Sequence, residues 1–138
     1  AREPYRITTG DWLGRVQPDT TGRSSIVTVR GTVHRLTHRD GPARTLHATP
    51  GVRARLAAPL GEDRVVWVDD ALGEDAVCVA PLDPRAPDAP EAQRFGEFGR
   101  VLELVPAPDG QSVALTTHDG RLLLLVDEFL TVGTGEST

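Results

Sequence analysis

Residues 101–126 read VLELVPAPDGQSVALTTHDGRLLLLV, and this stretch decides the fold class. A Pro-Asp-Gly turn at Pro108 separates the first two apolar runs, and a second turn, Asp119-Gly120, leads into the third. An Asp-Gly pair between apolar runs is a strong hairpin signal, because glycine adopts positive φ at little cost. The segment therefore predicts three consecutive antiparallel strands joined by tight turns.

The same pattern occurs twice earlier in the chain. Related turns contain Pro18, Pro59 and Pro108, which are 41 and 49 residues apart. Strand-like segments precede the turns at 12–17, 53–58 and 101–105, follow them at 25–30, 64–69 and 112–117, and recur as third strands at 32–37, 76–81 and 121–126. A repeat of about 40 to 50 residues is typical of one propeller blade. The sequence predicts an all-β protein, a β-propeller fragment of about three four-stranded antiparallel blades.

The fourth, outer strand of each blade has the weakest signal, with candidates at 43–47, 93–95 and near 130–133. Weak signals are expected at sheet edges. Four prolines within residues 81–90 predict an exposed loop inside blade two. The predicted organisation is a lead-in at 1–11, blade one at 12–48, blade two at 49–98 with the Pro-rich loop at 81–90, blade three at 99–133 and a tail at 134–138.

Composition excludes several function classes. The 138 residues carry a net charge of −5, and the fifteen basic residues are all arginine and are scattered, so no nucleic-acid partner is predicted. No apolar run approaches the ~18 residues of a membrane helix, so no membrane association is predicted. The single cysteine, Cys78, excludes an intrachain disulfide and favours a cytoplasmic location. The start at Ala1, without an apolar signal segment, indicates an excised piece of a longer protein.

Candidate metal ligands are few. His34 and His38 lie four residues apart in a predicted strand, about 13 Å from each other, which is too far for one ion. Four carboxylates lie within residues 69–75 but lack the ligand register of a calcium loop, so a solvated acidic turn is favoured. His47 and His118 are expected to be exposed. We predict no metal site and no cofactor.

Candidate catalytic residues are also lacking. None of the four serines lies in a Gly-x-Ser-x-Gly elbow. Cys78, within the apolar run at 76–80, is predicted to be a buried structural thiol. Trp67 occupies the middle of a predicted strand and is assigned to the core. No catalytic residue is predicted in this chain.

Three arginines are candidates for substrate contact. Arg53, Arg55 and Arg100 lie in or beside predicted inner strands. Inner strands of a propeller line its central channel, where arginines could contact peptide carbonyls or carboxylates. We predict them as possible channel-lining residues, with exposed or blade-bridging roles as the alternative.

Several segments together resemble one protein family. They are VTVRGTV at 27–33, PGVRARL at 50–56, RVVWVDDA at 64–71 and GRVLELVPAPDGQSVALTTHDGRL at 99–122. These segments resemble blades of the tricorn-type peptidases, large self-compartmentalising serine proteases, and the resemblance covers roughly residues 12–127. It implies consecutive blades of a seven-bladed propeller that gates peptides, with the catalytic Ser, His and Glu in later domains.

Two functional hypotheses follow. In the first, the chain is a non-catalytic propeller segment of a tricorn-like serine peptidase, with peptides or unfolded polypeptides and the parent's other domains as partners. In the second, it is a propeller scaffold for protein interaction, unrelated to proteolysis. Because three blades alone leave two apolar faces uncovered, either hypothesis predicts self-association of the isolated chain.

Overall fold

A computed structural model describes residues 13–19, 21–37, 43–83, 85–89, 91–96, 98–126 and 131–135. Every regular element within them is a β-strand, and the strands form three antiparallel sheets of four, each in chain order. The predicted all-β class and the three four-stranded blades are therefore confirmed. Among these residues, no helix has the length and hydropathy that crossing a membrane would require.

Blade one consists of β1 (Leu13–Pro18), β2 (Ser24–Val29), β3 (Thr32–Thr37) and β4 (Arg44–His47). The predicted hairpin between β2 and β3 has a two-residue turn, Arg30-Gly31, with φ of +50° and +80°. Positive φ at both positions matches a type I′ turn, whose twist suits the flanking strands. His38 lies outside the described residues.

Blade two consists of β5 (Ala54–Leu60), β6 (Arg64–Asp69), β7 (Ala76–Pro81) and β8 (Gln93–Phe95). A bulge interrupts the pairing of β5 with β6 between Arg55 and Ala58, and Leu56 within it has φ of +57°. The predicted Pro-rich loop follows β7, and Arg85, Pro87 and Asp88 in it are exposed. Leu82 departs from the prediction because its side chain is buried in the core.

Blade three consists of β9 (Val101–Pro106), β10 (Ser112–Thr117), β11 (Leu122–Val126) and β12 (Thr131–Gly135). The predicted Asp119-Gly120 turn joins β10 and β11. The outer strand β12 continues to Gly135, two residues into the segment expected to be the tail. Side chains of β11 alternate, with Leu123 and Leu125 buried and their neighbours exposed, as a period of two requires.

The core lies between the blades. One cluster joins blades one and two and consists of Ile26, Val33, Ala54, Ala57, Val65, Trp67, Cys78 and Leu82. A second joins blades two and three and includes Val66, Val68, Val77, Val79, Leu104, Val113, Leu115, Leu123 and Leu125. Successive residues of a strand face opposite sides. The middle blade therefore needs apolar residues on both faces of β6, which explains its unbroken run of apolar residues at 65–68.

The first strands of the three blades lie side by side, since β5 contacts both β1 and β9. The turns of blades two and three also meet. A Cβ on Gly110 would lie 2.6 Å from the Cα of Gly61, so only glycine fits there. The side chain of Arg64 donates to the Gly110 carbonyl at 2.6 Å. Gly110 of the Pro-Asp-Gly turn thus permits both the turn itself and the close contact between blades two and three.

Blade three has one apolar face that no described residue covers, which we call the open face. It consists of Val105, Leu122, Leu124 and Val126, whose side chains are 39–59% exposed. Val105 and Leu124 pair with Ala114, as Ala58 and Val79 pair with Val66 in blade two. Ala58 and Val79 are at most 4% exposed because blade three covers them. The open face therefore has the pattern of a face that receives another sheet.

Candidate functional site

Arg53 and Arg100 occupy equivalent positions, each directly before the first strand of its blade. Both side chains are exposed. The backbone N–H of Arg53 donates to Oδ1 of Asp70 at 2.9 Å, and that of Arg100 donates to Nδ1 of His118 at 3.2 Å. Asp70 and His118 each follow the second strand of their blade. Two of the three arginines predicted to line the channel therefore lie at the same end of neighbouring inner strands.

Arg55 makes different contacts. Its guanidinium forms an ion pair with Asp75 and also donates to the carbonyl of Val101 at 2.6 Å. The side chain is 34% exposed. Arg55 therefore makes the blade-bridging contacts that were the alternative to channel lining, because Val101 begins β9 of the next blade.

Asp75 is the centre of this joint between blades two and three. Besides Arg55, its carboxylate accepts from the backbone N–H of Val101 at 2.7 Å. Its backbone N–H donates to Gly99 at 2.9 Å, and its carbonyl accepts from Phe98 at 3.3 Å. The expectation of a solvated acidic turn is wrong for Asp75, whose side chain is only 13% exposed, because these partners cover it.

Asp69 is likewise no part of a solvated turn, since its side chain is fully buried. It accepts hydrogen bonds from both terminal nitrogens of Arg94, from the Trp67 indole at 3.1 Å, the Cys78 thiol at 3.3 Å and the Ala71 N–H at 3.2 Å. Burial raises the pKa of Asp69, but Arg94 and these hydrogen bonds outweigh burial and hold the pKa below its ordinary value. Asp69 and Arg94 thus form an ion pair within blade two in which the carboxylate is buried and the guanidinium is 33% exposed.

Cys78 and Trp67 lie where the sequence predicted. Both are buried. Burial, reinforced by the nearby charge of Asp69, raises the pKa of the Cys78 thiol to about 12. Nucleophilic chemistry needs the thiolate. The prediction of a buried structural thiol is therefore confirmed.

His47 overturns an expectation, whereas His118 is exposed as predicted. The His47 side chain is only 10% exposed, and its ring packs on Trp67 of blade two at 5.2 Å between centroids. Its Nε2 lies 4.0 Å from Oδ2 of Asp69. The expectation that His47 is exposed is wrong because β4 faces the neighbouring blade at this residue.

A cleft of about 550 Å³ opens between the outer strands of blades one and two, with His47, Trp67, Cys78 and Arg94 in its lining. The guanidinium of Arg94 and the thiol of Cys78 are already engaged with Asp69. The cleft therefore offers packing surface and a protonated thiol rather than a nucleophile.

The histidines and acids provide no metal centre among the described residues, where no group of three potential ligands is close enough to hold an ion. His34 contacts Thr32 Oγ1 through Nε2 at 2.7 Å and Thr45 Oγ1 through Nδ1 at 3.3 Å. The contact with Thr45 joins β3 to β4 and gives His34 a structural role.

Two curated relatives from Streptomyces coelicolor match nearly the whole chain. Tricorn protease homolog 1 is 51% identical over 131 residues, which is 91% of this chain. Tricorn protease homolog 2 is 50% identical over 127 residues, or 90% of this chain. The resemblance to the tricorn proteases is confirmed. The chain spans 12% and 11% of the length of these two tricorn protease homologues, and no family model matches it.

Solved structures are similar to this chain in fold. The WD40 domain of SCAP from fission yeast matches 94% of the chain and 35% of its own length, with a TM-score of 0.60 and 13% identity. A chain in the complex of the fission yeast SREBP–SCAP binding domains matches 94% of this chain and 38% of its own length, with a TM-score of 0.56 and 12% identity. At such identity the likeness concerns the fold alone. The predicted β-propeller fold is confirmed.

Proposed function

We propose that this chain is a non-catalytic part of a channel that admits peptides to the catalytic domain of a tricorn-like serine peptidase. The observation that carries the proposal is 51% identity to tricorn protease homolog 1 across 91% of a chain folded as propeller blades. In this proposal the blades select and guide substrate, and the serine chemistry belongs to other parts of the polypeptide.

The contacts between blades support a guiding role. Arg55 and Asp75 fix the start of β9 against blade two, so the inner strands keep a constant spacing. Arg53 and Arg100 lie at the same end of these strands and are exposed. A guanidinium donates several hydrogen bonds in a fixed plane, which suits peptide carbonyls and carboxylates. An extended peptide that enters at this end of the inner strands would meet both arginines at the same level.

Active-site labelling of the complete polypeptide tests where the chemistry lies. A fluorophosphonate probe should label a serine outside residues 1–138, and the 138-residue chain alone should neither be labelled nor hydrolyse peptides. Labelling of Ser24, Ser25 or Ser112, or hydrolysis by the chain alone, would overturn the proposal.

Substrate length tests the channel. In the complete polypeptide, Arg53→Glu and Arg100→Glu should lower kcat/KM for a peptide of about ten residues several-fold more than for a small chromogenic substrate. Arg23→Glu makes the same charge change in the β1–β2 turn, at the other end of the strands, and serves as the control. Equal effects on long and short substrates would exclude a guiding role.

The second candidate is a propeller scaffold for protein interaction. One observation favours it, because the open face of blade three exposes four apolar side chains that another protein could cover. The labelling experiment separates the two candidates, since a complete polypeptide without a reactive serine would support the scaffold.

A further inference from the structure

Aromatic rings and small apolar side chains line the cleft between the outer strands of blades one and two. His47 and Trp67 belong to this lining, with their ring centroids 5.2 Å apart. Ala80, Ala89 and Ala92 also belong to it, and their short side chains leave open the space of about 550 Å³. This volume lies in the range of clefts that bind ligands. The cleft therefore has room for another aromatic side chain beside its own two rings.

His47 has a buried polar atom without a partner. Its side chain is 10% exposed, and no described residue forms a hydrogen bond with Nε2. Oδ2 of Asp69 lies 4.0 Å from this nitrogen. That oxygen already accepts three hydrogen bonds, which come from Trp67, Cys78 and Arg94. Since a buried nitrogen without a hydrogen bond destabilises the folded state, Nε2 indicates a partner from outside the described residues.

The cleft suits a neutral ligand. Glu91 and Arg94 are the permanently charged residues among its described lining, and their charges are opposite. The guanidinium of Arg94 is already engaged by Asp69. The remaining polar lining consists mainly of neutral side chains, which include Thr45, Thr49 and Gln93. A carboxylate or an ammonium group therefore finds no uncompensated opposite charge in this cleft.

An open sheet edge borders the cleft. β8 is the last strand in the sheet of blade two, and no described strand pairs with its outer side. Gln93 and Arg94, which belong to β8, also line the cleft. The free edge of a strand offers backbone N–H and C=O groups to an added strand. An extended segment beside β8 therefore has its side chains within reach of the cleft.

We infer that this cleft binds a tyrosine side chain from an extended segment of a partner polypeptide. The segment pairs with the free edge of β8, and the tyrosine ring packs beside Trp67 and His47. A tyrosine hydroxyl both donates and accepts, so it forms the hydrogen bond that His47 Nε2 lacks with either tautomer of the imidazole. The χ2 torsion of histidine is soft, which lets the ring turn its nitrogen toward the cleft. The site lies at the outer strands and does not depend on the channel proposed for the inner strands.

Three peptides test the site by calorimetric titration of the 138-residue chain. Each is acetylated and amidated, with the sequence Thr-Val-X-Val-Thr, in which X is tyrosine, phenylalanine or alanine. We expect the tyrosine peptide to bind about three- to tenfold more tightly than the phenylalanine peptide, because only tyrosine forms a hydrogen bond with His47. The alanine peptide should bind at least about tenfold more weakly than the phenylalanine peptide, because it buries no ring. N-acetyltyrosinamide should bind more weakly than the tyrosine peptide, because it has no strand to pair with β8.

Variants of the cleft identify the groups that recognise the tyrosine. His47→Phe keeps an aromatic ring but removes the nitrogen, so it should bind the tyrosine and phenylalanine peptides equally. Ala92→Trp fills the cleft and should abolish the binding of both. Ala71→Trp is the matched control, because Ala71 is an exposed alanine in the β6–β7 loop and is not in the cleft lining. It should leave both affinities unchanged, and a cooperative thermal transition shows that each variant is folded.

Several results would overturn the inference. Equal affinities of the tyrosine and phenylalanine peptides for the unchanged chain would exclude recognition of the hydroxyl. A tyrosine preference that persists in His47→Phe would show that the hydroxyl bonds elsewhere, and binding that survives Ala92→Trp would place the site outside the cleft. Equal affinities of N-acetyltyrosinamide and the tyrosine peptide would exclude pairing with β8. None of these results bears on the proposed channel, which the labelling and substrate-length experiments test separately.

Discussion

The Asp75 carboxylate accepts a hydrogen bond from the Val101 backbone N–H at 2.7 Å, and this contact fixes the start of blade three to blade two. Arg55 completes the joint, because its guanidinium pairs with Asp75 and donates to the Val101 carbonyl. Both backbone groups of Val101 are therefore satisfied across the blade junction. Contacts of this kind fix the spacing of blades, whereas apolar packing alone tolerates sliding.

Removal of the Asp75 carboxylate should loosen this joint. Asp75→Ala leaves the Val101 N–H and part of the Arg55 guanidinium without partners, so we expect a loss of about 2–3 kcal/mol in the free energy of unfolding. Urea denaturation measures this loss of free energy. Asp83→Ala is the control, since Asp83 pairs with Arg44 where both side chains are 41–50% exposed. Its loss should stay below about 1 kcal/mol. Equal losses would refute the assignment of the joint to Asp75.

The ion pair of Arg94 with the buried Asp69 carboxylate predicts a non-additive double mutant. Arg94→Gln leaves the buried Asp69 carboxylate without its countercharge, so it should cost about 2–4 kcal/mol. Asp69→Asn combined with Arg94→Gln should cost about 1–2 kcal/mol less than the sum of the single changes, because no charge then remains buried. Denaturation of the four proteins measures this coupling. Strict additivity would show that Arg94 and Asp69 act independently.

Asp19 predicts a loss of stability in acid. Partial burial raises its pKa, but hydrogen bonds from Ser24, Thr21 and Arg23 prevail and lower the pKa from 3.8 to about 2. A carboxyl with a lowered folded pKa stabilises the protein above the unfolded value, and the contribution is lost as the pH falls from about 4 to about 2. In Asp19→Asn, the urea concentration at the unfolding midpoint should therefore decrease less over this pH range than in the unchanged protein. Ser24→Ala, which removes the 2.6 Å bond, should have part of this effect. An unchanged profile in both variants would refute the assignment.

Cys78 should be unreactive in the folded protein. Because its thiol is buried and its pKa is raised to about 12, almost no thiolate exists at pH 8. Modification by Ellman's reagent should therefore follow the rate of unfolding and accelerate in urea. Rapid stoichiometric reaction in buffer alone would contradict the buried environment.

Local signals made the fold predictable. The turns at Pro18, Pro59 and Pro108 repeat at blade spacing, and the short outer strand at 93–95 lies where the sequence indicated. These features depend on residues close together in the chain, such as glycine at a turn or apolar residues in alternation. The end of β12 was less predictable because few apolar residues mark it.

The ionic contacts were not predictable in the same way. Asp69 pairs with Arg94 and Asp75 with Arg55, at separations of 25 and 20 residues. An acidic cluster is usually solvated, and its burial depends on partners that only the sheet order brings near. One local signal existed for Asp69, which ends β6 directly after the unbroken buried run at 65–68. His47 was misjudged for a related reason, because a neighbouring blade rather than its own sheet buries it.

We propose that these blades belong to a larger ring whose next sheet covers the open face. Light scattering of the isolated chain at micromolar concentration tests it most directly. We expect the mass of a dimer or larger, and Leu124→Glu on the open face should shift this mass toward that of the monomer. Leu72→Glu, at a 64% exposed leucine of the β6–β7 loop, should not shift it. A monodisperse monomer that unfolds cooperatively and is unchanged by Leu124→Glu would contradict the larger ring.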